Sequence, residues 1–401
     1  MIKFLLPCLL TIFFQPGETP NTGDKVLFLG DSNTFAGQFI VDLDTYLARA
    51  DSGKKNITLI NLGLPSETIS GLSEKDHPYP RPDVHERVDR ALKAIKPGHV
   101  VIGYGMNDGI YSPFDESRFK KYQEGYQDII KKCRDAGAKI TLLTPDPFEP
   151  MAVKAKLLPL GKPDYSYKNP YEKYDSVLEK YSGWLASLGT NQMAVADAHS
   201  AIHAFLKKRR QVEPGFIFSG DGIHPNASGH WLVAESILDS WKASPTPALV
   251  VEAKEMPIKI NLTGKLPFAG DSNWDKGIQE DFQKKWGAQV LKINGLKEGN
   301  YKLSSNKSDL GVFTNKDLEK GLDLSQFKNL ESNLLARELR KLCSERTKIL
   351  GLAWLDEVGH KRPDTPKGKP LVQARKIYDD ATTRIHEILA SNIEINLSRQ
   401  P

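Results

Sequence analysis

Only three cysteines occur in 401 residues, too few for a disulfide framework. Cys8 falls in an apolar N-terminal stretch, and the spacing of Cys133 and Cys343 fits no zinc or redox pattern. Buried thiols are expected for both, with a single disulfide between them as the alternative. Dense basic runs are also missing. The 55 Lys and Arg and 50 Asp and Glu are interspersed along the chain, and a net charge of +5 gives no footprint for nucleic acid. Internal repeats and low-complexity tracts are absent, which argues against solenoids and disordered linkers. No apolar run reaches the roughly 20 residues that a spanning helix needs, so no stable membrane span is expected. The longest candidate, Phe4 to Phe14 after Met1-Ile2-Lys3, has the dimensions of a secretory leader. Residues 1–16 are therefore read as a signal peptide, without a clean cleavage site, and the protein as secreted or periplasmic.

What remains is ordinary for a globular protein, with 39% hydrophobic and 26% charged residues. From Lys25 to Ala243 short apolar runs alternate with longer amphipathic stretches. Strands are predicted at Lys25–Leu29, Thr58–Leu62, His99–Gly103, Lys139–Leu143 and Met193–Asp197. Helices are predicted over Asp83–Ile95, Glu116–Cys133, Tyr171–Leu188 and Ser228–Trp241. The alternation implies an α/β fold, a three-layer α/β/α sandwich with a parallel sheet. Ligand sites in such folds collect at the carboxyl ends of the strands. The stretch Pro145 to Pro170 carries six prolines and no periodicity, a long surface excursion that either borders the cleft or is decoration. After Ser244-Pro-Thr-Pro247 the pattern changes to short strands around a turn at Gly295–Gly299, a third at Gly311–Phe313, and two helices over Ser325–Trp354 and Pro370–Ala390. The organisation read from this is an α/β domain over 22–245 and a C-terminal β-plus-α appendage over 248–401.

Three constellations carry chemistry. Gly30-Asp31-Ser32-Asn33 follows the first strand, where a serine on a sharp strand-to-helix turn is exposed and can act as a nucleophile. A second Gly-Asp-Ser-Asn at 270–273 has no strand before it and is read as coincidence. Asp221-Gly222-Ile223-His224 places a carboxylate three residues from an imidazole, the pairing that fixes a general base and its tautomer. Gly63 and Asn107 close the second and third strands, where a backbone N–H and an amide side chain can meet a substrate oxygen. Each of these two is equally explained as turn chemistry when taken alone. His77, His85, His99, His199, His203, His230, His360 and His386 form no ligand set by spacing, so no metal and no organic cofactor are expected.

Taken together, Ser32, Gly63, Asn107 and His224 in this order resemble the SGNH/GDSL hydrolase superfamily, named for a Ser, Gly, Asn and His in four separate blocks. The resemblance covers roughly Lys25 to Ala243. It implies a five-stranded parallel sheet of flavodoxin-like type and a serine esterase. The catalytic set would be Ser32, Asp221 and His224, with an oxyanion hole of Ser32, Gly63 and Asn107. Asn33 departs from the hydrophobic residue or threonine common after the serine, and the region beyond Pro247 lies outside the family's core. The family spans lipases, thioesterases, phospholipases and carbohydrate acetylesterases. Export and the absence of an apolar lid point to a carbohydrate O-acetylesterase acting on a small-molecule or glycan ester. The competing readings are a lipase or thioesterase-type acylhydrolase, a glycan-binding protein without activity, and a chain whose C-terminal part is a docking module.

Overall fold

The computed structural model describes residues 19–50, 56–190 and 193–401. The expected signal peptide, with Cys8, lies outside them. The first half runs β1 (Lys25–Gly30), α1 (Ser32–Ala36), α2 (Gln38–Ala50), β2 (Thr58–Asn61), α3 (Val88–Ile95), β3 (His99–Gly103), α4 (Glu116–Asp135), β4 (Lys139–Leu143), α5 (Tyr174–Ser187), β5 (Met193–Ala196), α6 (Ala198–Val212) and α7 (Ala227–Ser240). The five strands form one parallel sheet in the order β2-β1-β3-β4-β5. All five match the predicted runs, because strands covered on both faces must be apolar nearly throughout: Val26 to Leu29 and Val100 to Ile102 are all at most 1% exposed.

One face of the sheet carries α3, α4 and α5 over a core built on Leu27, Val100, Ile129 and Tyr181; the other carries α2, α6 and α7 over Phe28, Val101, Leu43 and Ile237. Side-chain caps set the helix starts. Asp115 accepts from Arg118 N (2.9 Å) at α4, and Asn226 accepts from Gly229 N (3.1 Å) at α7. The helices α2 and α6 belong to no predicted element and are additions to the sequence reading.

The second half continues with β6 (Leu249–Glu252), β7 (Ile258–Asn261), α8 (Lys276–Phe282), β8 (Val290–Asn294), β9 (Asn300–Ser305), β10 (Asp309–Thr314), α9 (Asn315–Lys320), β11 (Leu322–Asp323), α10 (Glu331–Val358), α11 (Leu371–Ala390) and β12 (Glu394–Arg399). It builds two small sheets, β10-β9-β12-β7 and β11-β8-β6. The strands flanking the 295–299 turn, β8 and β9, therefore do not pair with each other but part into different sheets.

This half shares its interior with the first. The helix α10 packs on β2, α2 and α3, and Leu350, Trp354, Leu355 and Val358 enter the core of the first face. Its approach is close: a Cβ on Gly351 would stand 3.0 Å from Asn61 O. On the other face Phe268, Trp274, Phe282 and Trp286 close over Trp231 and Tyr46. Two ion pairs cross the same seam, Arg340 to Asp42 (2.5 Å) and Arg346 to Asp44 (2.5 and 2.7 Å), with both aspartates 1% exposed. Cys133 and Cys343 are buried free thiols, so the alternative of a disulfide between them is not realised. Among the described residues, no helix is long and apolar enough to cross a membrane.

Candidate active site

The site sits at the carboxyl edge of the sheet, where β1 parts from its neighbours β2 and β3. Gly30 is required there, since a Cβ would lie 2.1 Å from Thr34 Oγ1 and 2.8 Å from Gly103 O. Asp31 caps the one-turn helix α1 by accepting from Asn33 N (3.0 Å), which leaves Ser32 as the first helical residue, half-buried at the rim.

Ser32 Oγ lies 2.8 Å from His224 Nε2, and His224 Nδ1 lies 2.6 Å from Asp221 Oδ2. The other carboxylate oxygen, Oδ1, accepts from Ile223 N (3.0 Å), His224 N (2.8 Å) and Ser219 Oγ (3.1 Å). These bonds hold the Asp-Gly-Ile-His loop in one shape, with Gly222 at φ 84 making the turn. Because Nδ1 faces a carboxylate it is the donor, so Nε2 is free to accept from the serine. Burial works against the ionised Asp221, yet the bonds from the His224 ring and from two backbone amides hold its carboxyl well below the usual range. The same hydrogen bond to Asp221 raises the His224 pKa above that of a free imidazole, against a smaller opposing effect of burial.

Across the serine, the sequence expectation for Gly63 needs correction. Its N–H donates to Asn61 Oδ1 at 2.8 Å and is not free for a substrate. Gly63 is needed for another reason, since a Cβ would stand 2.2 Å from Phe35 N. Three residues on, Ser66 adopts φ 68, a left-handed conformation uncommon for serine. Among the described residues its N–H has no acceptor. Asn107 is placed as expected, at the end of β3: Tyr111 Oη donates to its Oδ1 (2.9 Å), and its Nδ2 donates one hydrogen to Glu67 O (3.2 Å), leaving the second. The loop 62–67 is fixed from below by a fully buried pair, Arg87 to Glu67 (2.5 and 2.6 Å), with Tyr104 Oη on the same carboxylate (2.6 Å) and Arg87 also on Leu62 O (2.6 Å).

The proline-rich excursion after β4 borders the site and is not decoration. Asp146 accepts from Asn33 Nδ2 at 2.8 Å, beside the serine, and Glu149 N donates to Gly222 O at 2.9 Å. The role of Asn33 and the presence of Asp146 escaped the sequence reading; the available signal was an aspartate between two prolines at the carboxyl end of a strand. Burial pushes Asp31 and Asp146 each up to about 7; the Asp31 carboxylate adds to the rise at Asp146, and His224 opposes the rise at both. The second Gly-Asp-Ser-Asn is a surface turn. Asp271 caps Asn273 N (2.9 Å) and meets Arg340 (3.4 Å), Ser272 is exposed, and no histidine accompanies it.

A sheet of this order, with a half-buried serine after its first strand in contact with a histidine, is the arrangement of an α/β sandwich hydrolase. The chain belongs to the GDSL-like lipase/acylhydrolase family, whose model matches residues 28–232. It is a hydrolase acting on ester bonds. No curated protein matches the sequence. Among solved structures it is similar to a gut microbial diltiazem-metabolizing enzyme, with TM-score 0.68 and 16% identity over 96% of this chain and 100% of that one. The fold of both halves thus recurs together. An acetylxylan esterase from Geobacillus stearothermophilus aligns with 56% of this chain and 97% of its own at 18% identity and TM-score 0.41. A second acetyl xylan esterase aligns with 54% and 98% at 20% identity and TM-score 0.38.

Proposed function

We propose that the chain cleaves carboxylic esters through Ser32, His224 and Asp221, by way of an acyl-enzyme. The observation that carries this is the unbroken chain of contacts from Ser32 Oγ to His224 Nε2 (2.8 Å) and from His224 Nδ1 to Asp221 Oδ2 (2.6 Å). His224 takes the serine proton as Oγ attacks the carbonyl carbon. The imidazolium, steadied by Asp221, then gives that proton to the departing alcohol oxygen. Water, deprotonated by His224, attacks the acyl carbon, and the carboxylate leaves with Ser32 reprotonated. The developing oxyanion is met by the N–H of Ser32, the second hydrogen of Asn107 Nδ2 and the N–H of Ser66 in place of Gly63.

For the alcohol half, the reading is a glycan carrying O-acetyl groups. Its support is a half-buried aromatic group beside the Ser66 loop. His77 stacks edge-on with Tyr79 (4.7 Å) and near Tyr167 (5.5 Å), while Arg81 reaches Ser66 O (3.3 Å) and lies 5.9 Å from the Tyr167 ring. Rings with polar tips at a wet rim suit a sugar face better than an acyl tail. Hydrolysis of p-nitrophenyl acetate by wild type and Ser32→Ala tests the first claim, and equal rates would remove it. Release of acetate from acetylated xylan and pectin fragments, set against release of fatty acid from a phospholipid, tests the second; a preference for the phospholipid would overturn it.

A further inference from the structure

Away from the serine, where the N-terminal parts of α5 and α6 meet beside the edge strand β5, Asp175, His199 and His203 offer a carboxylate oxygen and two ring nitrogens that all lie within 4.8 Å of one another. The two histidines are one turn apart on α6 with ring centroids 4.7 Å apart, and Asp175 faces them from the first turn of α5. His203 Nε2 already touches Asp175 Oδ2 at 2.9 Å.

The second observation is the state of His199. It is 3% exposed, and its Nδ1 is bonded to Pro145 O at 3.1 Å, which makes Nδ1 the donor. Its Nε2, on the opposite side of the ring, is buried without any partner. A buried imidazole nitrogen with a lone pair and nothing to accept is costly, and each such atom calls for an explanation. A backbone carbonyl on the far nitrogen is the arrangement that orients a metal-binding histidine and makes it more basic.

We propose that Asp175, His199 and His203 form a binding site for a divalent transition metal ion of the zinc type. Two imidazoles and one carboxylate suit such an ion better than calcium or magnesium, which take oxygen ligands. Tetrahedral ligation at about 2.0–2.1 Å separates neighbouring ligand atoms by about 3.3 Å, so the three side chains need close by no more than about 1.5 Å. Glu179, one turn beyond Asp175, lines the same cavity and can fill the fourth position, as can water. His203 is 45% exposed and Asp175 25%, which leaves the entry open.

The position suggests what the ion does. Asp175 Oδ1 accepts from Phe148 N (2.8 Å), His199 N donates to Thr144 Oγ1 (3.0 Å), and His199 Nδ1 donates to Pro145 O. Asp175 and His199 thus grip residues 144–148, the segment whose Asp146 holds Asn33 beside the serine, and His203 joins them through Asp175. The ion would clamp this wall of the site without taking part in the hydrolysis.

The test uses the full chain without an affinity tag, stripped with a chelator and dialysed against sub-millimolar Zn²⁺. Wild type is expected to retain one zinc per chain and to melt at a higher temperature with zinc than without, with no such rise in Mg²⁺ or Ca²⁺. His203→Ala, at a half-exposed position that tolerates truncation, should bind at least about 10-fold more weakly and lose the thermal shift. His199→Phe, which keeps the ring volume, should do the same. Absence of bound zinc on wild type, or equal zinc binding by wild type and His203→Ala, would overturn the site. The proposed esterase machinery is untouched by either result.

Discussion

Replacing Asp221 by asparagine isolates the contribution of its charge, and the loop geometry predicts how the new side chain will sit. Oδ1 is held by Ile223 N, His224 N and Ser219 Oγ, all donors, so the asparagine oxygen must take that place. Its NH₂ then replaces Oδ2 and points at His224 Nδ1. Facing a donor, Nδ1 gives up its hydrogen, the proton moves to Nε2, and the ring can no longer accept from Ser32. Loss of the charge-assisted bond alone is worth about 1.5–3 kcal/mol, or about 10- to 150-fold in rate. The side chains of His224 and Asp221 are 47% and 56% exposed, so screening keeps this part toward the lower end. Tautomer reversal adds to it, and in a buried triad the same exchange costs about 10⁴. For this open site Asp221→Asn should lower kcat by about 10²–10³ on p-nitrophenyl acetate. The pH profile gives an independent reading. In the proposed mechanism the working base is neutral His224, whose pKa Asp221 raises, so wild-type activity is expected to rise as pH climbs through that raised value. In the variant the acid limb must shift to lower pH even as the plateau falls. A plateau within about threefold of wild type with an unmoved acid limb would refute the assignment of Asp221 as the orienting group.

Tyr111→Phe removes the hydroxyl that orients Asn107 and should lower kcat about 2- to 10-fold with KM little changed, as read from steady-state kinetics. Ser66→Gly suits the φ of 68 and should leave activity within about threefold while raising stability by up to about 1 kcal/mol in urea denaturation; a large loss of activity would show that the hydroxyl, not the backbone, matters. Burial raises the folded-state pKa of Asp146 to about 7 from an ordinary 3.8, so its contribution to stability falls as pH rises between these values. Asp146→Asn should therefore gain on wild type in thermal melts from pH 4 to pH 7, by a few kcal/mol at most, and an unchanged difference across that range would count against the burial argument. Asp44→Ala strands the buried guanidinium of Arg346 and should cost about 3–5 kcal/mol, while the paired exchange of Asp44→Leu with Arg346→Met should recover most of it.

The central sheet was legible because both of its faces are covered, and such strands leave an unbroken apolar signature. The helices α2 and α6 were not, and the reasons differ. In α2 the buried positions include Asp42 and Asp44, whose partners Arg340 and Arg346 lie about 300 residues away, so its periodicity reads as broken until the second half is in place. In α6 the buried His199 stands on the inner face, while the basic run 207–210 gives the end of the helix a wholly polar look. The serine, histidine and aspartate were legible because the latter two are three residues apart on one loop and the first sits at a glycine-marked turn. The amide opposite was not, since Gly63 carries the signal of a close backbone approach, and a glycine demanded by Phe35 N looks in sequence like one presented to a substrate. A serine at positive φ leaves no trace in the residue type.

The segment after β4 shows why a site can depend on groups that take no part in its chemistry. Prolines 145, 147 and 150 deny it helical or sheet bonding, so its shape comes from groups elsewhere in the chain: the Asp175 side chain on Phe148 N, the His199 ring on Pro145 O and the backbone carbonyl of Gly222 on Glu149 N. Through Asp146 and Asn33 this borrowed shape reaches the residue next to the serine, and through Gly222 it reaches the loop of the histidine. The two halves of the Ser32–His224 contact, 192 residues apart in sequence, are thus braced by one stretch of chain. The second half of the molecule does the same on the opposite side, where α10 lies against Asn61 O at Gly351 while Asn61 itself takes the N–H of Gly63 and donates to Thr34 O at 2.7 Å. A serine positioned by a one-turn helix has little rigidity of its own, and here it is supplied from both flanks. Removal of residues 247–401 is therefore expected to strip apolar cover from both faces of the sheet and to loosen β2 beside the serine, so the truncated chain should lose both its cooperative melt and its hydrolysis of p-nitrophenyl acetate; full activity after truncation would make the region an attached module instead.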